Sequence, residues 1–117
     1  MLRAVDCVHL TVPDLEAGLA FYRDTLGHEL IWQTAVAAGL RLPGSEAEIV
    51  LSATHAGPQV DFLVDDVPAA VASLQSAGAT LTFGPADIPV GRVAVLTDPF
   101  GNALSVLDLS KGRYQPL

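Results

Sequence analysis

The sequence is poor in cysteine and in positive charge. Its single cysteine, Cys7, excludes an intrachain disulfide, so an oxidising compartment is not implied. Six lysines and arginines stand against thirteen aspartates and glutamates, which gives a formal net charge of -7. Because binding to a phosphate backbone needs a basic face, nucleic acid is not an expected partner. The acidic balance would favour a cationic ligand.

Long hydrophobic runs are also missing. No segment approaches the roughly 20 apolar residues that a membrane-spanning helix requires, so a membrane partner is not expected. Arg3 and Asp6 flank only a short apolar run, which does not resemble a signal peptide, and the prediction is a cytoplasmic protein. Half of the residues are hydrophobic and 16% are charged, which predicts one compact domain over residues 1–117.

One segment occurs twice along the chain. Residues 12–27, VPDLEAGLAFYRDTLG, return in weaker form as residues 64–78, VDDVPAAVASLQSAG, at a constant offset of 52 residues. Each copy contains an aspartate suited to cap a helix and ends at a glycine suited to terminate it. The chain is therefore predicted to contain two similar modules, at about 1–56 and 57–109, followed by a tail at 110–117.

The first module is predicted to fold as a strand, a helix and three more strands. Residues 4–12 alternate between apolar and more polar side chains, which is typical of a half-buried strand. Asp14 then caps a helix that ends at Gly27. Apolar residues at helical spacing are expected to pack on the strand: Leu15, Leu19, Tyr22 and Leu26. The further strands are expected at 29–35, 37–42 and 47–53.

The second module repeats this βαβββ order. Asp66 caps its helix, and Gly78 ends it. The segment 84–91 is predicted to be a loop, either covering the mouth of a binding site or serving as an ordinary connection. Residues 98–102 predict a tight hairpin turn, and the tail is expected to be exposed and mobile. The predicted strands are 59–64, 79–83, 92–97 and 103–109.

Two such modules predict an α+β fold, a mixed sheet with helices on one face and a concave polar or partner-binding surface on the other. Three motifs, at 9–27, at 64–78 and at 91–105 (GRVAVLTDPFGNALS), resemble the vicinal-oxygen-chelate superfamily. That superfamily contains glyoxalase I, extradiol dioxygenases, and the fosfomycin- and bleomycin-resistance proteins. The resemblance implies an open, cup-shaped sheet, a homodimer, and, in members that use a metal, an ion inside the cup.

Members that bind a metal hold it with His, Glu and sometimes Gln from the first and last strand of each module. The resemblance carries those positions to Cys7, about Val50, Gln59 and Ser105, with Glu48 replacing Val50 only if that strand is shifted. Valine has no donor atom, and a serine or neutral amide is a weak ligand for a divalent ion. The protein is therefore predicted to lack the superfamily's metal centre and to have no cofactor.

His9 and Asp61 lie two residues beyond two of these positions and are related by the repeat. Such a pair could act as a general base, because a carboxylate orients an imidazole, or it could bind a polar ligand. Each side chain could equally point into a wet cavity. A displaced metal site of Cys7, His9 and Asp61 is a further alternative. Cys7 could also be a nucleophile, although a buried structural cysteine is the simpler interpretation.

Other side chains are candidates for contact with a ligand. Trp32 could form a wall on which a flat ligand stacks, or it could belong to the core. Arg92 could bind an anionic group, or it could pair with a surface aspartate. Phe83 and Phe100 are further aromatic candidates. The complete predicted ligand-binding set is Cys7, His9, Thr11, Trp32, Gln59, Asp61, Arg92 and Ser105.

Three functions are weighed from these residues. The first is a metal-free protein that sequesters a hydrophobic or aromatic compound, in the manner of bleomycin-type resistance proteins. The second is a lyase, isomerase or dioxygenase relative that uses His9 and Asp61 or a displaced metal. The third is an accessory or dimeric module without a small ligand, which the polar faces of both first strands disfavour. The sequence favours the metal-free binding protein.

Overall fold

A computed structural model describes residues 1–54 and 58–114 of the chain. These residues form two compact units, which we call the first unit (Asp6–Val60) and the second unit (Met1–Val5 and Asp61–Tyr114). The predicted module boundary at residues 56 and 57 and the end of the tail lie outside the described residues. The described elements are β1 (Ala4–Thr11), α1 (Leu15–Leu19), β2 (Leu30–Gln33), β3 (Ala37–Arg41), β4 (Glu48–Ser52), β5 (Gln59–Leu63), α2 (Val67–Ser76), β6 (Thr80–Ile88), β7 (Gly91–Thr97) and β8 (Ala103–Leu107).

The first unit has the strand order β2–β3–β4–β1. The β4–β1 pair is parallel and the other two pairs are antiparallel. Alternate residues of the strands pack against α1, and each fully buried leucine among them contributes about 1.5–3 kcal/mol to the stability of the unit. The core consists of Val12, Leu19, Ala38, Leu40 and Leu51, with Leu15 and Tyr22 packed against it as predicted.

The helix of the first unit departs from the predicted regular spacing. Asp14 caps it as predicted, accepting a backbone N–H at 2.7 Å. The residues Ala20–Thr25 form a π-helical turn, and within it the Leu26 N–H donates to the Phe21 carbonyl at 2.9 Å. Because this wider turn rotates less per residue, Leu26 leaves the apolar stripe and is 51% exposed. The predicted packing of Leu26 on the strand is therefore wrong. Gly27 ends the helix with φ +86°, as predicted.

The second unit repeats the arrangement with the strand order β5–β8–β7–β6. Here β5 and β8 are parallel, and the other pairs are antiparallel. Asp66 caps α2 by accepting the Ala69 N–H at 2.9 Å, and Gly78 ends the helix segment with φ +113°. Both ends follow the prediction. The core beneath α2 consists of Val64, Val67, Ala70, Val71, Ala94, Leu96 and Val106.

The predicted loop at 84–91 is wrong, because most of it belongs to β6. This strand pairs with β7 as far as Ile88, and two register shifts absorb its irregular residues. Within the described residues β6 pairs only with β7 and lies at the border of the sheet. On its outer side the described part of the chain provides no strand to pair with, so the lack of an N–H at Pro85 costs no hydrogen bond there. Gly84 has φ +82°, and a Cβ there would lie 2.6 Å from the Val93 carbonyl oxygen. The Gly84–Pro85 peptide bond is cis.

The hairpin turn and the tail are both tied to the second unit. Asp98 accepts the backbone N–H groups of Phe100 and Asn102, each at 2.8 Å, which confirms the predicted turn. The start of the tail is exposed, as predicted, but it is anchored. Lys111 donates its backbone N–H to Val90 at 2.9 Å and its ammonium to Asp87 at 2.9 Å. Mobility is therefore not expected at this point of the tail.

The two βαβββ modules and the α+β class are confirmed. Five N-terminal residues belong to the second unit, where Arg3 donates its N–H to the Leu63 carbonyl at 2.8 Å and pairs with Asp65 at 2.6 Å. Among the described residues, no helix is long and apolar enough to cross a bilayer.

Candidate functional site

Each unit has a sheet face that lies away from its helix, which we call the helix-distal face. In the first unit, the alternation of β1 and β4 places on it the residues that do not pack against α1. The parallel pairing sets Cys7 opposite Glu48, His9 opposite Val50, and Thr11 opposite Ser52. Four predicted candidates or ligand positions therefore share one face of one unit: Cys7, His9, Thr11 and Val50.

The indole of Trp32 covers part of this face. Trp32 on β2 is in register with Gly39 on β3, and a Cβ on Gly39 would collide with the indole ring. The ring therefore lies directly over Gly39. From there its Nε1–H donates to Glu48 Oε1 at 2.7 Å. Trp32 is only 8% exposed, so it is largely a packed residue rather than an open stacking wall.

The side chains at the predicted ligand positions of the first unit differ in exposure. Cys7 and Val50 are buried, at 4% and 5% exposure, and Cys7 forms no disulfide among the described residues. His9 and Glu48 are partly exposed, and Thr11 is exposed at the end of β1. The accessible polar groups of this face are therefore an imidazole, a carboxylate and a hydroxyl.

The second unit carries two polar side chains on its own helix-distal face. Asp61 on β5 is in register with Ser105 on β8, and they are 5% and 2% exposed. Val64, three residues after Asp61, and Val106, next to Ser105, pack against α2, so the alternation directs Asp61 and Ser105 away from the helix. The structure thus brings together two candidates that the sequence had placed in separate motifs. A buried carboxylate on a sheet face is typical of functional sites as well as of structural networks.

The remaining candidates do not join these faces in the same way. Arg92 lies two residues before Ala94, which packs against α2, so both residues lie on the helix side of β7. Its guanidinium is 3.8 Å from Asp87, which corresponds to the surface pairing considered from the sequence. Gln59 is partly exposed at the start of β5. Phe83 and Phe100 are 54% and 88% exposed.

Asp108 is a buried carboxylate that the sequence reasoning missed. It is 1% exposed and accepts the N–H groups of Val67 and Arg92 at 2.9 and 3.0 Å. Ser110 adds its hydroxyl at 2.7 Å and its N–H at 3.3 Å. Burial raises the pKa of Asp108, but the hydrogen bonds from Val67, Ser110 and Arg92 outweigh it and hold the pKa below its ordinary value. The sequence signal that could have revealed this residue is an acidic side chain within the mostly apolar run SVLDL at 105–109.

A sequence model of the Glyoxalase/Bleomycin resistance protein/Dioxygenase superfamily matches residues 4–106. The match begins with β1 and extends into β8, so it includes both βαβββ modules. The chain belongs to this superfamily. Its membership confirms the resemblance drawn from the three sequence motifs.

Several known proteins are similar to this superfamily member in sequence or in structure. The putative glyoxylase CFP32 of Mycobacterium bovis is 53% identical over 49 residues, which are 41% of this chain and 19% of that protein. The match thus covers only about a fifth of the length of that curated relative. Methylmalonyl-CoA epimerase from Mycobacterium tuberculosis has a TM-score of 0.71 at 23% identity, covering 93% of this chain and 89% of that one. The Mn(II)-bound glyoxalase from Novosphingobium aromaticivorans has a TM-score of 0.67 at 23% identity, covering 99% and 42%. These similarities show the fold.

Three of the four residues at the superfamily's metal positions are unsuited to bind a divalent ion; Cys7 is the exception. Val50 offers no donor atom and is 5% exposed, and Ser105 and Gln59 offer only neutral oxygens. Glu48 was a substitute only for a shifted strand, but the regular β1–β4 register keeps it opposite Cys7. Its carboxylate is instead bound by the indole N–H of Trp32. No chemical step through a metal ion at these positions is derived.

Proposed function

We propose that this superfamily member binds and sequesters a hydrophobic or aromatic small molecule, such as an antibiotic, without a metal ion. The observation that carries the proposal is Val50, a buried apolar side chain at a position where the superfamily resemblance implies a metal ligand. Ser105 at the matching place of the second module supports the same conclusion, because a neutral hydroxyl is a weak ligand for a divalent ion.

The helix-distal face of the first unit has the chemistry that small-molecule binding requires. Ligand sites combine apolar walls with a few polar groups that fix the orientation of the ligand. Val50 and the Trp32 indole form the packed apolar floor of this face, at 5% and 8% exposure, while His9, Glu48 and Thr11 supply polar groups with some exposure. The net charge of -7 favours a ligand of positive or neutral charge.

Two measurements on the purified protein test the proposal. Elemental analysis of the protein as purified is expected to find no near-stoichiometric Zn, Ni, Fe or Mn. A thermal-shift screen against aromatic and cationic antibiotics is expected to find a compound that raises Tm. A ligand at a hundred times its Kd adds about 2.7 kcal/mol to the free energy of unfolding. A stoichiometric metal lost on mutation of Cys7 or Ser105, or a screen in which no compound raises Tm, would contradict the proposal.

The alternative function is catalysis as a lyase, isomerase or dioxygenase relative. It is supported by the 5% exposure of Asp61, because a carboxylate kept this far from water is often a functional group. In an enzyme it would supply a general acid or base. Turnover of a compound found in the screen, abolished by Asp61→Asn while its binding persists, is the result that would favour an enzyme over a sequestering protein.

We also propose that the chain acts as a homodimer, as its superfamily resemblance implies. Analytical ultracentrifugation or light scattering at micromolar concentration is expected to give twice the 12.2 kDa chain mass. A monomer that still binds a ligand with full affinity would show that the dimer is unnecessary for binding.

A further inference from the structure

Glu48 accepts a hydrogen bond from the Trp32 indole, and a neutral acceptor could fill that structural role without the negative charge of the carboxylate. The indole N–H needs one acceptor when it is buried, and Glu48 Oε1 supplies it at 2.7 Å. A neutral glutamine oxygen at the same place would also accept this bond, although more weakly. Holding a partly buried carboxylate there costs desolvation that the neutral side chain would avoid. The negative charge is therefore available to attract a cation as well.

The neighbouring cation is engaged elsewhere. Arg41 on β3 is in register with Glu48, but its guanidinium pairs with Glu29 at 3.1 Å. Among the described residues, no ion pair engages Glu48. Its second oxygen, Oε2, keeps the capacity to accept hydrogen bonds, because an ionised carboxylate has about four acceptor positions. Glu48 thus presents a fixed negative charge on the helix-distal face.

The indole also fixes the position of this charge. Trp32 lies over Gly39, where no side chain competes for the space, and its Nε1–H restrains one oxygen of the carboxylate. A restrained acceptor loses less conformational entropy on binding than a mobile side chain does. Glu48 is therefore preorganised to bind, rather than free to move with the solvent.

We propose that Glu48, positioned by Trp32 over Gly39, binds the protonated amine of an organic cation. The apolar part of the cation lies on the same helix-distal face, near Val50. This inference rests on the proposed binding function and names its ligand class. The amine N–H donates to Glu48 Oε2 in a charge-assisted hydrogen bond, which is about twice as strong as a neutral one. The chain thereby selects an amine over a neutral molecule of the same shape.

The single tryptophan makes the site directly observable, because the protein gives one indole N–H resonance in a nitrogen–proton correlation spectrum. We would titrate the protein with naphthylmethylammonium and with its neutral analogue naphthylmethanol. Both are expected to move the Trp32 resonance, with Kd for the cation about tenfold lower, a ratio equivalent to about 1.4 kcal/mol. Glu48→Gln should remove this preference and retain binding of the neutral compound. Glu46→Gln, the same charge change at an exposed residue, should leave the preference intact.

A second measurement uses the unaltered protein, in case Glu48→Gln disturbs folding. Raising the salt from about 0.05 to about 0.5 M should weaken binding of the cation more than of the alcohol, because salt screens partly exposed charges. Equal Kd values for the two compounds, or a preference that survives Glu48→Gln, would overturn the inference and leave the binding function standing. Failure of every compound, in both the titration and the thermal-shift screen, would instead remove the binding function itself.

Discussion

Asp108 provides the sharpest test of how the second unit is held together. Its carboxylate accepts hydrogen bonds from three parts of the chain: the first residue of α2, the start of β7 and Ser110, two residues further along. Gly91 leaves the necessary space, because a Cβ there would collide with Asp108. We expect that replacing this carboxylate loosens all three segments at once.

The size of the effect follows from the donors that lose an acceptor. In Asp108→Asn an amide N–H2 replaces one oxygen and faces a backbone N–H, and the charge that strengthens the other bonds is lost. A hydrogen bond to a charged group contributes about 1.5–3 kcal/mol, so we expect a loss of about 3 kcal/mol. Asp108→Ala leaves the N–H groups of Val67 and Arg92 without the carboxylate, and the expected loss is about 4 kcal/mol. The exposed N–H of Ser110 can bond to water.

The measurement is urea-induced unfolding, with Asp65→Asn as the matched control. Asp65 makes an ion pair with Arg3 in which both side chains are exposed, so its removal should change the free energy of unfolding by about 0.5 kcal/mol or less. The slope of the transition should stay constant, since the same surface is exposed on unfolding. If Asp108→Asn costs no more than Asp65→Asn, the carboxylate does not hold these segments together.

The pH dependence gives an independent check. Because the folded-state pKa of Asp108 is lowered, its contribution is fully present above the unfolded pKa of about 3.9 and disappears as the pH falls through the folded value. The difference between the natural protein and Asp108→Asn should therefore be largest near neutral pH and shrink in acid. A difference that stays constant into acid would refute the role assigned to the ionised carboxylate.

Further predictions concern the glycines and the turn. Gly39→Ala should displace the Trp32 indole, cost about 1–3 kcal/mol in urea unfolding and shift the indole N–H resonance upfield as its hydrogen bond lengthens. Gly84→Ala should lower Tm clearly, because φ is +82° and a backbone carbonyl lies 2.6 Å from the new Cβ, whereas Gly44→Ala meets nothing within 4 Å and should leave Tm nearly unchanged. Hydrogen bonds from the Asn102 side chain and neighbouring backbone N–H groups lower the pKa of Asp98, so Asp98→Ala should lower Tm at neutral pH and have less effect in acid. Equal Tm values for Gly84→Ala and Gly44→Ala, or an unshifted indole resonance in Gly39→Ala, would contradict these contacts.

The sequence predicted the modules well because their signals are local. Asp14 and Asp66 cap helices through backbone groups only three residues away, and Gly27 and Gly78 end the helix segments through their own φ angles. Alternation in 4–12 likewise depends on the strand itself. Such features do not need the rest of the fold to be known.

Features that depend on distant partners escaped prediction. The segment 84–88 is rich in Gly and Pro, and only its pairing with β7 makes it a strand. Leu26 left the helical stripe because of a π-helical turn that no single residue announces. The contact between Trp32 and Glu48 passes over Gly39, so it requires three strands in register. Pattern analysis finds elements, whereas these contacts arise from their assembly.

The candidate site was predicted in part. Alternation correctly placed Cys7, His9 and Thr11 on the same side of β1, and the family motif indicated that Val50 and Ser105 occupy positions of metal ligands. Glu48 was considered only as a substitute ligand on a shifted strand, and its hydrogen bond with Trp32, sixteen residues away in the chain, was not predicted. The roles given to these residues in binding and catalysis stay predictions.

The irregular course of β6 also makes this strand a poor template for pairing with another chain. A regular nine-residue strand at the border of a sheet would offer a row of N–H and C=O groups on which a strand of another molecule could add. Pro85 withholds one donor, and the two register shifts move neighbouring groups out of line. The tract that resembles a loop in sequence therefore interrupts a template for aggregation. Replacing residues 84–86 by a regular alternating sequence would restore that template and increase the tendency to form fibrils.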